Sequence, residues 1–424
     1  MGKNITSRFA KNASWMLTGR IIQMGLVFVT TMFIARYLGP TDYGSIQHTY
    51  SYVAFFAQVC ALGMNEIVVK ELIDNKEKND EILGTMIVFR MVIAIASIFV
   101  LYVLITAIKK SPILVLLTVL QSLSLIFQTF DCITYFYQSK LMAHKTAKIN
   151  IIAYTLTSIF RVVCLLLKRD VKWFAFAVSL DYIVIAVLLL YVYFRDGYKF
   201  KFSINTGKML LARSWHYLFA DIMVAVYGQA DKLLLGGLLD DKAVGLYSAA
   251  TQLCNAWPIV LMSIIDSASP IIIELFKEDK QAFKKKLKQL YASIFYIGVF
   301  VAIALTILSN FIITTIYGVD YSEASILLKI CSWNTIFAYL GVSRTIWMQC
   351  NDKLKYEKQI ALVGVIANVV LNYSLIKVFG AIGAAIALTL TQFITNFVMV
   401  YILKPTRENA KLIIEGIILK DVFE

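Results

Sequence analysis

Long stretches of residues that are apolar on every side alternate with short polar connectors, from residue 15 to residue 403 of the chain. A helix needs about 20 apolar residues to cross a hydrocarbon core of ~30 Å, and runs of that length predict membrane spans rather than the one-faced helices of a soluble domain. The pattern predicts twelve spans, at 15–37, 44–69, 82–108, 113–136, 147–167, 173–194, 215–239, 243–273, 288–314, 325–349, 359–378 and 381–403. Spans 44–69 and 243–273 are longer than a bilayer requires, so they are expected to tilt or protrude. The expected fold is an all-α integral membrane protein, with residues 15–200 and 201–404 forming two pseudo-symmetric six-helix halves around a central cavity.

Composition agrees: 59% of the 424 residues are hydrophobic and 16% charged, and the mean hydropathy is +0.72. A soluble domain is about half apolar, so a soluble enzyme is excluded. The formal net charge of +14 would point to nucleic acid in a soluble domain, but topology accounts for it here. With residues at span ends assigned to the adjoining connector, 27 of the 41 Lys and Arg fall on the two tails and the connectors after even-numbered spans, and nine on the other connectors. The positive-inside rule therefore places both termini, including the tail 405–424 and the connector Lys277 to Lys288, in the cytoplasm. Residues 1–14, with Ile5, Phe9 and Ala13 set apart from Lys3, Arg8 and Lys11, suit a short amphipathic surface helix. No small-residue cleavage site follows that segment, so the first span is expected to stay in the membrane. The six cysteines lack metal-ligand or CxxC spacing and read as small buried residues. No phosphate-binding GxxxxGK[ST] loop is present, and no cofactor is expected.

Shifting the chain on itself by 201 residues lays Gly44 on Gly245, span one on span seven and span two on span eight. A shift of 208 lays span six on span twelve, with Ala175 and Ala177 over Gly383 and Ala385. In span two Gln47, Ser51, Ala54, Gln58, Ala61 and Asn65 recur at steps of four and three and share one helix face. Ser248, Gln252, Asn255 and Asp266 make the corresponding series in span eight. Such a seam is either interhelical hydrogen bonding or the wall of a water-filled cavity between halves, as in many secondary transporters.

Family likeness enters through particular residues: Lys11-Asn12, Trp15, Phe33-Ile34-Ala35-Arg36-Tyr37-Leu38-Gly39-Pro40 and Tyr43-Gly44. Asp231-Lys232-Leu233, Ala243-Val244-Gly245-Leu246-Tyr247-Ser248-Ala249-Ala250, Asn368, Asn372 and Gly380-Ala381-Ile382-Gly383-Ala384-Ala385 add to it. In order and spacing these resemble the polysaccharide biosynthesis flippases of the multidrug, oligosaccharidyl-lipid and polysaccharide exporter superfamily. The resemblance implies a flippase, not an enzyme, in a bacterial inner membrane. It would move an undecaprenyl-pyrophosphate-linked oligosaccharide, such as an O-antigen repeat unit, from the cytoplasmic to the outer leaflet by alternating access. The implied partners are that lipid, the surrounding membrane lipids, driving protons or sodium ions, and glycan polymerase machinery. Between Phe130 and Leu141 the chain departs from the family: Asp131-Cys132 and Tyr135-Phe136-Tyr137-Gln138-Ser139-Lys140 keep the acidic and aromatic character but not the usual Phe-Gln-Gly turn. A glycan polymerase or acyltransferase would need a large external loop, which is absent. A multidrug cation antiporter of the same superfamily would need a cavity dominated by acidic groups.

An anionic pyrophosphate needs a wet path and compensating positive charge, and five cations fall inside spans: Arg20, Arg90, Arg161, Lys232 and Arg344. At 1.5 Å per residue Arg90 lies about 12 Å and Arg161 about 21 Å into their spans. Both are candidates for bidentate phosphate contact, or for neutralising a buried carboxylate. Arg20 and Arg344 lie near span ends and could snorkel. Gln47, Gln58, Gln252 and Asn255 complete the expected pyrophosphate and glycan site. The intramembrane acids are Glu66, Asp131, Asp181, Asp221, Asp231 and Asp266, of which Asp131, Asp221, Asp231 and Asp266 are the candidates for coupling or gating. The repeat sets Arg20 opposite Asp221, a pair that could close one side.

Overall fold

The computed structural model describes the backbone of residues 2–108 and 111–422, with the side chains of those residues other than 2–14, 16–18 and 20. The expected amphipathic face of residues 1–14 and the Arg20 side chain lie outside what is described. Among the described residues the chain is helical with no strand, and eleven stretches are long and apolar enough to cross a membrane. The first of these, Ile21–Asp74, contains two legs. Gly39 takes φ 74° and ψ 172°, a conformation that suits a residue without a Cβ, and Pro40 starts the next leg with the fixed φ of a first helical position. Twelve legs result, as the hydrophobic pattern predicts.

By packing the chain forms two units. The first runs to Leu38 and resumes over Ser45–Gln229; the second takes Gly39–Gly44 and the chain from Ala230 onward. Helices α1 (Gly2–Ala61), α2 (Asn65–Asp74), α3 (Asn79–Ile108), α4 (Pro112–Gln128), α5 (Cys132–Ser139), α6 (Ala143–Leu166), α7 (Val171–Arg195) and α8 (Ile204–Leu238) come first. They are followed by α9 (Asp241–Ala256), α10 (Ile259–Glu278), α11 (Lys280–Ile316), α12 (Ala324–Cys331), α13 (Asn334–Cys350), α14 (Glu357–Phe379), α15 (Ala381–Phe393), α16 (Met399–Ile402) and α17 (Arg407–Ile417). Each unit has its own core: Leu83, Phe136, Tyr137 and Tyr193 in the first, Leu287, Tyr291, Trp347 and Ile413 in the second. Phe99, Phe300, Ile307 and Phe311 stand exposed on the helices, as lipid-facing residues do.

The two over-long spans are each broken within their length. Leu62 and Gly63 take positive φ between α1 and α2, where a Cβ on Gly63 would overlap backbone atoms of Ser214 and Leu218 on α8. The span 243–273 breaks at Trp257-Pro258, the start of α10. The connector Lys277 to Lys288 is helical apart from Asp279, whose carboxylate caps α11 by accepting from the backbone N–H of Gln281 at 2.8 Å and Ala282 at 3.1 Å. The C-terminal tail folds as α17 and packs on α11: Asn409 donates to the Tyr291 hydroxyl at 2.6 Å and Lys284 pairs with Glu408 at 2.7 Å. Cys350 is half-buried and the other five cysteines are buried; all six are free thiols. The repeated glycines Gly44 and Gly245 meet backbone to backbone, so that a Cβ on either would overlap the Asp241 or the Pro40 carbonyl oxygen respectively.

Candidate functional site

In the first unit Arg90 of α3 is almost fully buried, and its guanidinium donates to the Asn65 side-chain oxygen at 3.4 Å and the Gln128 carbonyl at 3.3 Å. Asn65, the last member of the span-two seam, opens α2 across the break, which aims it at α3. The 3₁₀ turn Thr129–Asp131 between α4 and α5 brings the Asp131 carboxylate into electrostatic range of Arg90. Tyr135, one turn further on, feels the charges of Arg90, Asp131, Glu66 and Asp221 together.

Below this centre α1, α5, α6 and α7 wall a cleft of about 570 Å³. Gln23, Asp131, Thr134, Tyr135, Gln138, Thr146, Asn150, Tyr154 and Tyr182 supply its polar lining. Among the described residues Asp131 is the one charged side chain lining it. Gly19 lets α1 approach α6 closely, since a Cβ there would lie 3.2 Å from the Ala147 methyl.

Arg161 of α6 is also buried, but it faces α7: its guanidinium contacts Asp181 at 2.6 Å and donates to the Ala177 carbonyl at 3.3 Å and the Thr157 hydroxyl at 3.5 Å. It therefore occupies the carboxylate-neutralising role that its sequence position left open, and it does not line the cleft. Gln47 and Gln58 are half-buried on the second leg of α1, where the Gln47 carbonyl accepts from Ser51 at 2.8 Å. Asp221 of α8 is half-buried beside the charge of Glu66.

In the second unit Asp231 is buried inside a clamp of three donors: the Tyr247 hydroxyl at 2.5 Å, Asn372 at 2.6 Å and Asn368 at 3.2 Å. Lys232 is half-buried and adds its charge. Arg344 is buried and forks onto both Glu357 carboxylate oxygens at 3.1 and 2.9 Å, with a further bond to the Thr395 carbonyl at 3.4 Å. Gln252 accepts from Tyr43 at 3.1 Å and Tyr317 at 3.4 Å, while Asn255 and Asp266 are exposed. Arg90 and Arg161 thus each sit in a side-chain cluster of the first unit, and Asp231 and Arg344 each in one of the second. Of the polar groups that line the cleft only Asp131 was a candidate from sequence; Asn150, Tyr154 and Tyr135 are among those that escaped it. A partial signal was present on α6 alone, where Thr146, Asn150, Tyr154, Thr157 and Arg161 recur at steps of four and three on one helix face.

Twelve apolar legs, buried charges held inside each unit and a polar cleft walled by apolar helices define a multi-pass helical membrane protein. The fold is similar to that of lipid II flippase MurJ in an inward closed conformation, with a TM-score of 0.76 at 15% identity over 97% of this chain and 91% of that one. It is similar also to an inward-facing multidrug resistance MATE family transporter, with a TM-score of 0.70 at 11% identity over 92% and 96%. The chain belongs to the polysaccharide biosynthesis protein family, whose model matches residues 9–276. The capsular polysaccharide biosynthesis protein CapF of Staphylococcus aureus is 21% identical over 409 residues, 93% of this chain and 99% of that one.

Proposed function

We propose that this transporter is a flippase that carries an undecaprenyl-pyrophosphate-linked oligosaccharide from the cytoplasmic to the outer leaflet of a bacterial inner membrane. The observation that carries the reading is the polar cleft inside a membrane-spanning unit, in a chain that matches a capsular polysaccharide protein over nearly its whole length. A lipid-linked head group needs such a sheltered polar place while its tail stays in hydrocarbon. Residues 15–200 and 201–404 act as the two halves of an alternating-access cycle, with both termini cytoplasmic. Proton or sodium re-entry drives it, using carboxylates among Asp131, Asp221, Asp231 and Asp266, and the product passes to glycan polymerase machinery. Arg90, whose guanidinium rests on two neutral oxygens, meets the pyrophosphate, whereas Arg161 and Arg344 are held in ion pairs. A second reading, a multidrug cation antiporter, is favoured by one observation: the described charge lining the cleft is acidic.

Deletion of the gene decides between the two. A flippase null loses surface polysaccharide and accumulates lipid-linked repeat units on the cytoplasmic leaflet, and the intact gene restores export. Unchanged polysaccharide, with altered resistance to cationic compounds, would favour the antiporter.

A further inference from the structure

We infer that the cleft of the first unit is the seat of the sugar rings of the cargo and not of its pyrophosphate, an inference that rests on the flippase reading above.

Its lining is notable for what it leaves uncommitted. Tyr154 is nine-tenths buried, yet its hydroxyl makes no hydrogen bond among the described residues and opens into the cleft. The side chains of Gln23, Asp131, Gln138 and Asn150 likewise make none among the described residues. Buried polar side chains are ordinarily satisfied, so the buried Tyr154 hydroxyl, with the four half-buried polar groups around the same space, marks a place where a ligand or water completes them. The kinds of group present decide which ligand. Amides offer a donor and an acceptor side by side, and a carboxylate accepts from two hydroxyls at once. Sugar rings present vicinal hydroxyls that both donate and accept. Tyr135 and Tyr182, both half-buried, add aromatic surface against which the apolar face of a pyranose can pack. The volume, about 570 Å³, falls within the ~300–1,000 Å³ usual for small-molecule sites. A pyrophosphate suits the same space poorly, because it would face the Asp131 carboxylate in a medium of low dielectric, where like charges repel strongly. Arg90 is turned to Asn65 and the Gln128 carbonyl, Arg161 to Asp181, and neither is part of the lining.

The test uses the full-length protein in nanodiscs and two probes: the lipid-linked oligosaccharide fraction extracted from the producing strain, and undecaprenyl pyrophosphate without sugar. The wild type is expected to bind the first at least about tenfold more tightly than the second, with free oligosaccharide competing and inorganic pyrophosphate not. Loss of a ligand hydrogen bond to one side chain typically costs on the order of tenfold in Kd. Asn150→Leu combined with Gln138→Leu should accordingly bring the two probes within about threefold of each other, while affinity for the sugar-free lipid stays within about twofold. Tyr154→Phe removes one hydroxyl and keeps the ring, and a smaller loss in the same direction is expected from it even where the double variant melts early. Absence of a sugar preference in the wild type, or its persistence in well-folded variants, overturns the assignment of the cleft and leaves the flippase reading standing. A wild type that binds neither lipid overturns both.

Discussion

The Arg161–Asp181 pair separates a structural cation from a cargo-binding one, and its geometry fixes the size of the expected effect. The two groups are 2.6 Å apart and both buried, and the guanidinium holds two further acceptors. Removing one member of such a pair leaves the other as an uncompensated buried charge, at a cost of about 3–5 kcal/mol, whereas replacing both by apolar residues of similar volume is often close to neutral. Arg161→Met and Asp181→Leu are each expected to lower stability by that amount, a shift of roughly 10² to 5 × 10³ in the unfolding equilibrium. The double variant should return to within about 1 kcal/mol of wild type, giving a coupling energy that is large and favourable. Unfolding midpoints in mixed detergent micelles titrated with sodium dodecyl sulfate measure this, and export of surface polysaccharide should recover with stability. A double variant as unstable as the singles would refute the pairing. An Arg161→Met protein as stable as wild type but dead in export would refute the structural role and return the guanidinium to the cargo.

Three further outcomes follow from particular contacts. Gly245→Val should cost about 1–3 kcal/mol or more, because its Cβ would occupy the space of the Pro40 carbonyl oxygen; a wild-type unfolding midpoint would contradict this. At the membrane edge, burial alone would raise the pKa of Asp196, but the Lys145 ammonium at 2.5 Å and the Tyr137 hydroxyl at 2.7 Å hold it below the usual carboxylate range. Its contribution is therefore fully present above an unfolded pKa of about 3.9 and is lost as pH falls through the lower folded value. The stability gap between wild type and Asp196→Asn should be constant near neutrality and shrink below about pH 4, and a gap unchanged at pH 3 would count against it. Asp231→Asn should abolish stimulation of transport by an ion gradient while leaving downhill exchange, as a coupling carboxylate requires; gradient stimulation that survives would remove Asp231 from that role.

The twelve legs were legible because each is a continuous apolar run, a signal that needs no knowledge of neighbours. The breaks were less so. Gly63 and Trp257-Pro258 interrupt runs whose hydropathy does not change, and what sets the first break is α8 packed against a backbone with no room for a Cβ. The buried cations were found by depth, but depth does not reveal partners. Arg161 and Arg344 are matched by Asp181 and Glu357 on other helices, at separations that no helical periodicity encodes. Asn368 and Asn372 were visible as an i,i+4 pair in an apolar span, whereas their convergence on Asp231 is a tertiary fact. The cleft was missed because its polar residues are sparse within each span and acquire meaning only when four helices meet.

The central claim is that this chain moves a sugar-bearing lipid across a bilayer, and reconstitution tests it most directly. Purified protein is placed in vesicles carrying labelled undecaprenyl-pyrophosphate-linked oligosaccharide in one leaflet, and the exposed sugars are scored with an impermeant glycan-cleaving enzyme added outside. The account predicts that protein-containing vesicles equilibrate the lipid between leaflets much faster than empty ones, and faster still with an imposed ion gradient or potential. Lipid that stays in its original leaflet at the rate of empty vesicles, with folded protein present under either condition, would contradict it.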